Sequence, residues 1–124
     1  MRLIKPPKLK AGDKVATVSL SWGGAGDNNL LWRYRVGKNE FGLTVVEMPH
    51  TLKGSEYIYN HPEKRAEDLL TAFADQSIKG IVSCIGGCES VRILPYIDYA
   101  VIRNNPKVFI GYSDTTVTHM ICFK

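Results

Sequence analysis

The residues best suited to carry out a reaction lie at positions 85–90 (IGGCES), between a β-branched run and a helix-like stretch. A tight strand-to-helix turn needs residues without side-chain crowding, and Gly86 and Gly87 meet that need. A nucleophile held in such a turn is lifted into solvent, and free backbone N–H groups at the start of the helix can receive an oxyanion. The pattern is typical of acyl transfer. The same two glycines would also suit a phosphate-binding turn or a purely structural one.

Two side chains of this turn could act as the nucleophile. Cys88 is intrinsically the more nucleophilic, and a helix N-terminus stabilises a thiolate. Ser90 would need an adjacent general base, normally a histidine that a carboxylate orients. The chain offers His50, His61 and His119, and a lone histidine on a helix is more often a packing or surface residue. The residues alone therefore leave the nucleophile open and predict no complete triad within the chain.

A second Gly-rich stretch, positions 21–27 (SWGGAGD), follows the first predicted strand. A dinucleotide-binding G-x-G-x-x-G fingerprint would need a glycine where Asn29 stands. A loop that lines a polar pocket fits equally well, and we expect Ser21, Trp22 and Gly24 to contact a substrate there.

After another predicted strand, Asp114 is expected to cap a helix and, secondarily, to contact a substrate. No His, Asp or Glu cluster has the spacing of metal ligands, so the sequence predicts neither a metal nor another cofactor.

These motifs need elements to position them, and the hydropathy pattern supplies strands that alternate with helices. Strands are predicted at 14–20, 43–48, 80–85 and 107–111, helices at 28–41, 62–75, 90–96, 99–104 and 114–123, and a loop at 51–60. This alternation predicts an α/β fold, a doubly wound and mostly parallel sheet with helices on both faces, flavodoxin-like. Ligands of such sheets bind at the carboxyl ends of the strands, where the motifs should meet.

Length and composition limit the function classes. A chain of 124 residues with 44% hydrophobic and 23% charged residues forms one domain and is neither disordered nor a membrane protein. Positions 1–14 hold five basic groups and one acidic group, which already accounts for the net charge of +4. A solvated basic arm fits this pattern better than a nucleic-acid surface. The three cysteines, Cys84, Cys88 and Cys122, form no disulfide framework, and we expect a cytoplasmic protein.

Several motifs, in order, resemble the amino-terminal half of the LD-carboxypeptidase family of serine peptidases. They are positions 7–15 (PKLKAGDKV), 19–26 (SLSWGGAG), 65–75 (RAEDLLTAFAD), 85–90 (IGGCES), 94–99 (LPYIDY) and 110–116 (IGYSDTT). The family includes muramoyl-tetrapeptide carboxypeptidases and microcin C self-immunity proteins. The resemblance extends over essentially the whole chain, and the first loop is closer to the immunity-protein branch.

The resemblance implies that Ser90, which closes the family's Gly-Gly-x-x-Ser turn, is the nucleophile, with backbone N–H groups near Gly87 and Val91 as the oxyanion site. It also implies that residues 1–124 are the nucleophile-bearing domain, and that the Glu and His of the triad lie in a carboxy-terminal domain. The chain alone should then be inactive. The implied substrates are murein LD-peptides or the aminoacyl-nucleotide of processed microcin. Glu89 stands where the family usually has Gly or Asn, and its carboxylate could repel a substrate carboxylate and enter into substrate choice.

Two other function classes stay open on the residues. One is a small nucleotide-binding module that uses the Gly-rich strand ends without covalent chemistry. The other is a cysteine amidotransferase-like enzyme with Cys88 as the nucleophile. In addition, Met120, Ile121 and Phe123 of the last predicted helix should lie at a surface that the second domain would cover. We therefore expect self-association, as a homodimer or a higher form.

Overall fold

The sheet of this chain is parallel throughout. The computed structural model describes residues 3–27 and 42–124, and the helix predicted at 28–41 lies outside them. The strands are β1 (Lys14–Val18), β2 (Thr44–Glu47), β3 (Ile78–Ser83) and β4 (Val108–Ile110). They lie in the order β2-β1-β3-β4, and every neighbouring pair is parallel. The predicted α/β class and parallel sheet are therefore confirmed.

In the described part of the chain, four α-helices accompany the strands: α1 (Ser55–Asn60), α2 (Pro62–Ala74), α3 (Tyr99–Asn104) and α4 (Thr116–Phe123). Short 3-10 segments cover Gly24–Gly26, Ser90–Tyr96 and Ser113–Thr115. The helix predicted at 90–96 is thus a 3-10 segment. Pro95 lies inside it and has no N–H for the hydrogen bond that an α-helix requires. None of the described helices is long and apolar enough to cross a membrane.

The loop predicted at 51–60 was wrong in its second half, where α1 forms. Gly54 precedes the helix as its N-cap residue in an extended conformation. The side chain of Asp27 accepts a hydrogen bond from the Ser55 backbone N–H at 3.2 Å and another from the Ser55 hydroxyl at 2.5 Å. A carboxylate from a distant loop therefore satisfies the start of this helix, which local sequence cannot reveal.

The core lies between the sheet and α2. In β1, Val15, Ala16 and Val18 are buried, as expected for a central strand covered on both faces. Helix α2 begins at a proline in its tolerated first turn and buries an apolar stripe that includes Leu69 and Phe73.

The last helix divides its apolar residues between the core and the surface. Ile121 was expected at the surface, but it is buried in the core, while Met120 and Phe123 are exposed. The helical period explains the division, because adjacent residues on a helix point about 100° apart.

Candidate active site

The carboxyl ends of β1, β3 and β4 meet around one carboxylate, that of Asp114. Its Oδ2 atom accepts a hydrogen bond from the backbone N–H of Ser90 at 2.7 Å and another from the hydroxyl of Ser21. The main-chain carbonyl of Asp114 accepts a hydrogen bond from the Ser90 hydroxyl at 2.7 Å. Asp114 therefore joins the loop after β1 to the turn after β3.

Ser90 itself is buried, with 0% of its surface exposed. The expectation that the turn lifts this residue into solvent was wrong. Gly87 and Cys88 occupy the exposed tip of the turn, whereas Ser90 begins the following 3-10 segment. Both polar groups of Ser90 are turned toward Asp114, which accounts for the burial at no cost in hydrogen bonding. Its role as a nucleophile stays a prediction.

The turn and the first Gly-rich loop pack against each other closely. Gly87 has a φ of +152°, and a Cβ atom there would collide with the Ser21 hydroxyl and lie 3.2 Å from the Trp22 Cβ. A Cβ on Gly24 would lie 2.8 Å from the Trp22 ring and 3.0 Å from the Ile85 Cδ1. The residues predicted to contact a substrate are thus neighbours of the Ser90 turn. The Trp22 side chain lies at the rim of this cluster, 45% exposed.

The backbone N–H groups near Ser90 differ in whether they are free to bind an oxyanion. The N–H of Ser90 is committed to Asp114, so it is not free to receive an oxyanion. Gly87 and Val91 flank this position and are both exposed. They remain the predicted oxyanion donors.

Glu89 is held away from the exposed tip of the turn. Its carboxylate accepts a hydrogen bond from Arg92 Nη1 at 3.1 Å, and the same nitrogen donates to the Tyr59 carbonyl at 2.8 Å. The guanidinium of Arg92 also lies over the Tyr59 ring, 4.8 Å from its centroid. This ion pair offsets the Glu89 charge and weakens the expected repulsion of a substrate carboxylate.

Sequence reasoning missed Arg65, which lies on α2 directly beneath the site. The residue is 1% exposed. Its Nη1 atom lies 3.1 Å from the Leu20 carbonyl oxygen, 3.3 Å from that of Ser21 and 3.4 Å from that of Glu89. The available signal was its position four residues before Leu69, on the apolar face of a predicted amphipathic helix.

The three histidines do not approach the turn as a base would. His50 Nδ1 lies 2.8 Å from the carboxylate of buried Asp68, whose pKa burial raises while the hydrogen bonds from His50 oppose the rise. His61 stacks on the ring of Tyr57, and His119 meets Phe109 edge-on. In residues 3–27 and 42–124, no histidine is hydrogen-bonded to Ser90.

The cysteines divide by exposure. Cys88 is exposed at the tip of the turn, whereas burial raises the pKa of Cys84 to about 12. The described part of the chain contains no group of three or more His, Cys, Asp or Glu side chains that could hold a metal ion.

Comparison with known proteins identifies the class to which this parallel α/β domain belongs. Residues 15–124 match the LD-carboxypeptidase N-terminal domain. The chain is therefore a member of the LD-carboxypeptidase family, as its motifs predicted.

Individual relatives agree with this membership. A putative carboxypeptidase of Treponema pallidum is 48% identical over 109 residues, which cover 87% of this chain and 32% of that protein. A probable murein peptide carboxypeptidase of Bacillus subtilis is 33% identical over 116 residues, 93% of this chain and 35% of that protein. The chain spans about a third or less of the length of the first curated relatives that it matches.

Solved structures show the same fold. An MccF-like protein from Streptococcus pneumoniae in complex with AMP superposes with a TM-score of 0.83 at 37% identity, covering 90% of this chain and 34% of that one. The microcin self-immunity protein MccF in complex with aspartyl sulfamoyl adenosine gives a TM-score of 0.82 at 32% identity, covering 94% and 35%.

Proposed function

We propose that this chain is the nucleophile-bearing part of a serine carboxypeptidase, with Ser90 as the nucleophile. One observation carries the proposal. Ser90 lies where the carboxyl ends of three parallel strands meet, between β3 and the next helical segment, and Asp114 fixes both its backbone and its side chain. Family membership supports a peptidase over the other classes that the sequence left open.

The chemistry follows from the contacts of the hydroxyl. In the structure, Ser90 Oγ donates to the Asp114 carbonyl, which orients the hydroxyl but cannot take its proton. For the reaction, Oγ has to leave this carbonyl and reach the exposed side of the turn, at Gly87. There Oγ attacks an amide carbonyl while a base from outside this chain accepts its proton. The base then gives this proton to the nitrogen of the broken C–N bond, and the neutral amine departs as the acyl-enzyme forms. Water then releases the acyl group. The N–H groups of Gly87 and Val91 stabilise the oxyanion of both steps.

The substrate we propose is an amide of a small aminoacyl or peptidyl compound. Two neighbours in structure are complexes with AMP and with aspartyl sulfamoyl adenosine, and a relative is named a probable murein peptide carboxypeptidase. Trp22 offers an exposed aromatic face for such a ligand, with Gly24 against its ring. Glu89 is the further predicted contact, with its charge paired to Arg92. The Ser21 hydroxyl and the Asp114 carboxylate are already hydrogen-bonded to each other. In this proposal they support the turn rather than contact the substrate.

The decisive experiment uses the longest natural polypeptide that contains these residues. Release of the terminal amino acid from a murein tetrapeptide, and cleavage of an aminoacyl sulfamoyl adenylate, are measured for wild type, Ser90→Ala and Cys88→Ala. We expect Ser90→Ala to lower kcat/KM by about 10⁴-fold and Cys88→Ala to retain most of the activity. Full activity in Ser90→Ala would exclude the proposal, and loss confined to Cys88→Ala would favour a cysteine amidotransferase-like enzyme.

The AMP complex of a close structural neighbour also favours a second candidate, a nucleotide-binding module without covalent chemistry. Calorimetric titration of the chain with AMP separates the two. Saturable binding by a polypeptide that cleaves neither substrate would favour the binding module.

A further inference from the structure

Among the residues that the structure describes, Arg65 is a buried cation with no carboxylate in hydrogen-bond contact. Its side chain is 1% exposed, and its hydrogen-bond partners are main-chain carbonyls rather than carboxylates. Within residues 3–27 and 42–124, no acceptor lies within hydrogen-bond distance of its Nε or Nη2 atoms. Burying a charged group in this way is costly. A methionine or leucine would fill the same place on α2 at lower cost, so the guanidinium needs another explanation.

The three carbonyls that Arg65 contacts belong to the two segments that form the candidate site. Leu20 and Ser21 begin the Gly-rich loop after β1, and Glu89 immediately precedes Ser90. One nitrogen atom, Nη1, serves all three. The guanidinium therefore fixes the distance between the loop and the turn from the side of α2. Asp114, which follows β4, joins the same two segments through Ser21 and Ser90.

The charges around Arg65 also indicate a role at the Ser90 turn. Burial lowers the pKa of Arg65, and the positive charge of Arg92 lowers it further, while the nearby carboxylates of Glu89 and Asp114 oppose both effects. Two of its three nitrogen atoms have no acceptor among the described residues, so the positive charge beneath the turn is only partly compensated. Such a charge favours negative charge that develops on the other side of the turn.

We propose that Arg65 is a positioning residue for the Ser90 turn: it clamps the Glu89 carbonyl to the Leu20–Ser21 backbone and thereby sets the place of the nucleophile and of its oxyanion donors. The effect of Arg65 on catalysis rests on the proposed function. Its effect on the conformation of the turn does not, and that conformation can be measured separately.

The test compares Arg65→Lys and Arg65→Met with Leu69→Ala. Lysine keeps the positive charge on a single donor nitrogen, but its side chain is shorter and that nitrogen reaches less far than Nη1 of arginine. Methionine removes both the charge and the donor. Leu69 is buried on the same helix and belongs to the apolar core, so Leu69→Ala is a matched control for loss of stability alone. Each variant is assayed in the longest natural polypeptide that contains the chain, with rates expressed per folded molecule.

We expect Arg65→Lys to lower kcat about tenfold or more while KM changes less than about threefold, and Arg65→Met to lower kcat further. Leu69→Ala should lower the unfolding temperature and leave kcat unchanged. A merely structural role for Arg65 would make its variants behave like Leu69→Ala, and that result would overturn the proposal.

A second readout needs no turnover. Cys88 is exposed two residues before Ser90, so its rate of alkylation by iodoacetamide, followed by peptide mass spectrometry, reports the conformation of the turn. We expect both Arg65 variants to change this rate about threefold or more under native conditions, and Leu69→Ala not to change it. If wild type cleaves neither substrate, the proposed function fails, and an unchanged Cys88 rate in the Arg65 variants still overturns the positioning role.

Discussion

Ser90 and Asp114 are joined by two hydrogen bonds of 2.7 Å that run to different parts of Asp114. The Ser90 N–H donates to the carboxylate, and the Ser90 hydroxyl donates to the main-chain carbonyl. The backbone N–H of Ser90 is thus held by the carboxylate, and the closest acceptor of its hydroxyl is the main-chain carbonyl. Asp114 therefore fixes the position of Ser90, and the mechanism proposed above takes its proton acceptor from another residue.

The same pair predicts a dependence of stability on pH. Partial burial raises the pKa of Asp114, but the hydrogen bonds from Ser21 and Ser90 outweigh it and lower the pKa below the usual value. Since the pKa is lower in the folded state, ionised Asp114 stabilises the fold above about pH 4, its unfolded value. This contribution is lost as the pH falls through the folded pKa.

Urea unfolding of wild type and Asp114→Asn from about pH 7 to about pH 2 measures this contribution. We expect wild type to be the more stable at neutral pH and the difference to shrink on acidification. A difference that stays constant over the whole range would contradict the assignment.

A second prediction concerns the contact between the turn and the first loop. Gly87→Ala places a Cβ atom against the Ser21 hydroxyl at a φ of +152°, so the turn or the loop must move. Gly12→Ala is the matched control, because Gly12 also has a positive φ, of +86°, but no atom lies within 4 Å of its added Cβ. We expect Gly12→Ala to cost about 1–2 kcal/mol of unfolding free energy from backbone strain and Gly87→Ala to cost more.

Fluorescence in a Trp32→Phe background distinguishes these two variants further. Trp22 is then the remaining tryptophan, and it lies 3.2 Å from the added Cβ of Gly87→Ala. Its emission should shift in Gly87→Ala and stay at the wild-type wavelength in Gly12→Ala. Equal spectra in both variants would show that the loop does not respond to the turn.

A third prediction concerns the different reactivity of the Cys84 and Cys88 thiols. Burial raises the pKa of Cys84 to about 12, so only a very small fraction is thiolate near neutral pH, while Cys88 is exposed. Limited treatment of the native chain with iodoacetamide should therefore modify Cys88 well before Cys84. Denaturation should remove the preference. Equal rates in the native chain would mean that the end of β3 opens to solvent.

A fourth prediction concerns the exposed face of α4. Met120 and Phe123 are 64% and 54% exposed. Phe123 also lines a groove of about 430 Å³ together with Leu3, Ile4 and Ile121. We expect the 124-residue chain to self-associate at high concentration, because exposed apolar patches favour contact. Met120→Glu with Phe123→Glu should shift the sedimentation profile toward monomer. A strictly monomeric wild-type profile would contradict the expectation.

Sequence patterns predicted the sheet well because its strands are buried β-branched runs whose order along the chain fixes a parallel topology. They also predicted that Ser21, Trp22 and Asp114 would gather near residues 85–90, since parallel strands end at one edge. The burial of Ser90 could not be predicted, because it depends on contacts with Asp114. Arg65 was missed for a related reason: its three acceptors are carbonyls from segments distant in the chain, and no periodicity encodes them.

The hydrogen bond between Ser21 and Asp114 spans 93 positions, about three quarters of the 124-residue chain. Contacts of such long sequence separation form late, because much loop entropy must be lost before they are gained. A nascent or proteolytically shortened chain that ends before β4 would contain Ser90 but lack the Asp114 contacts that orient it.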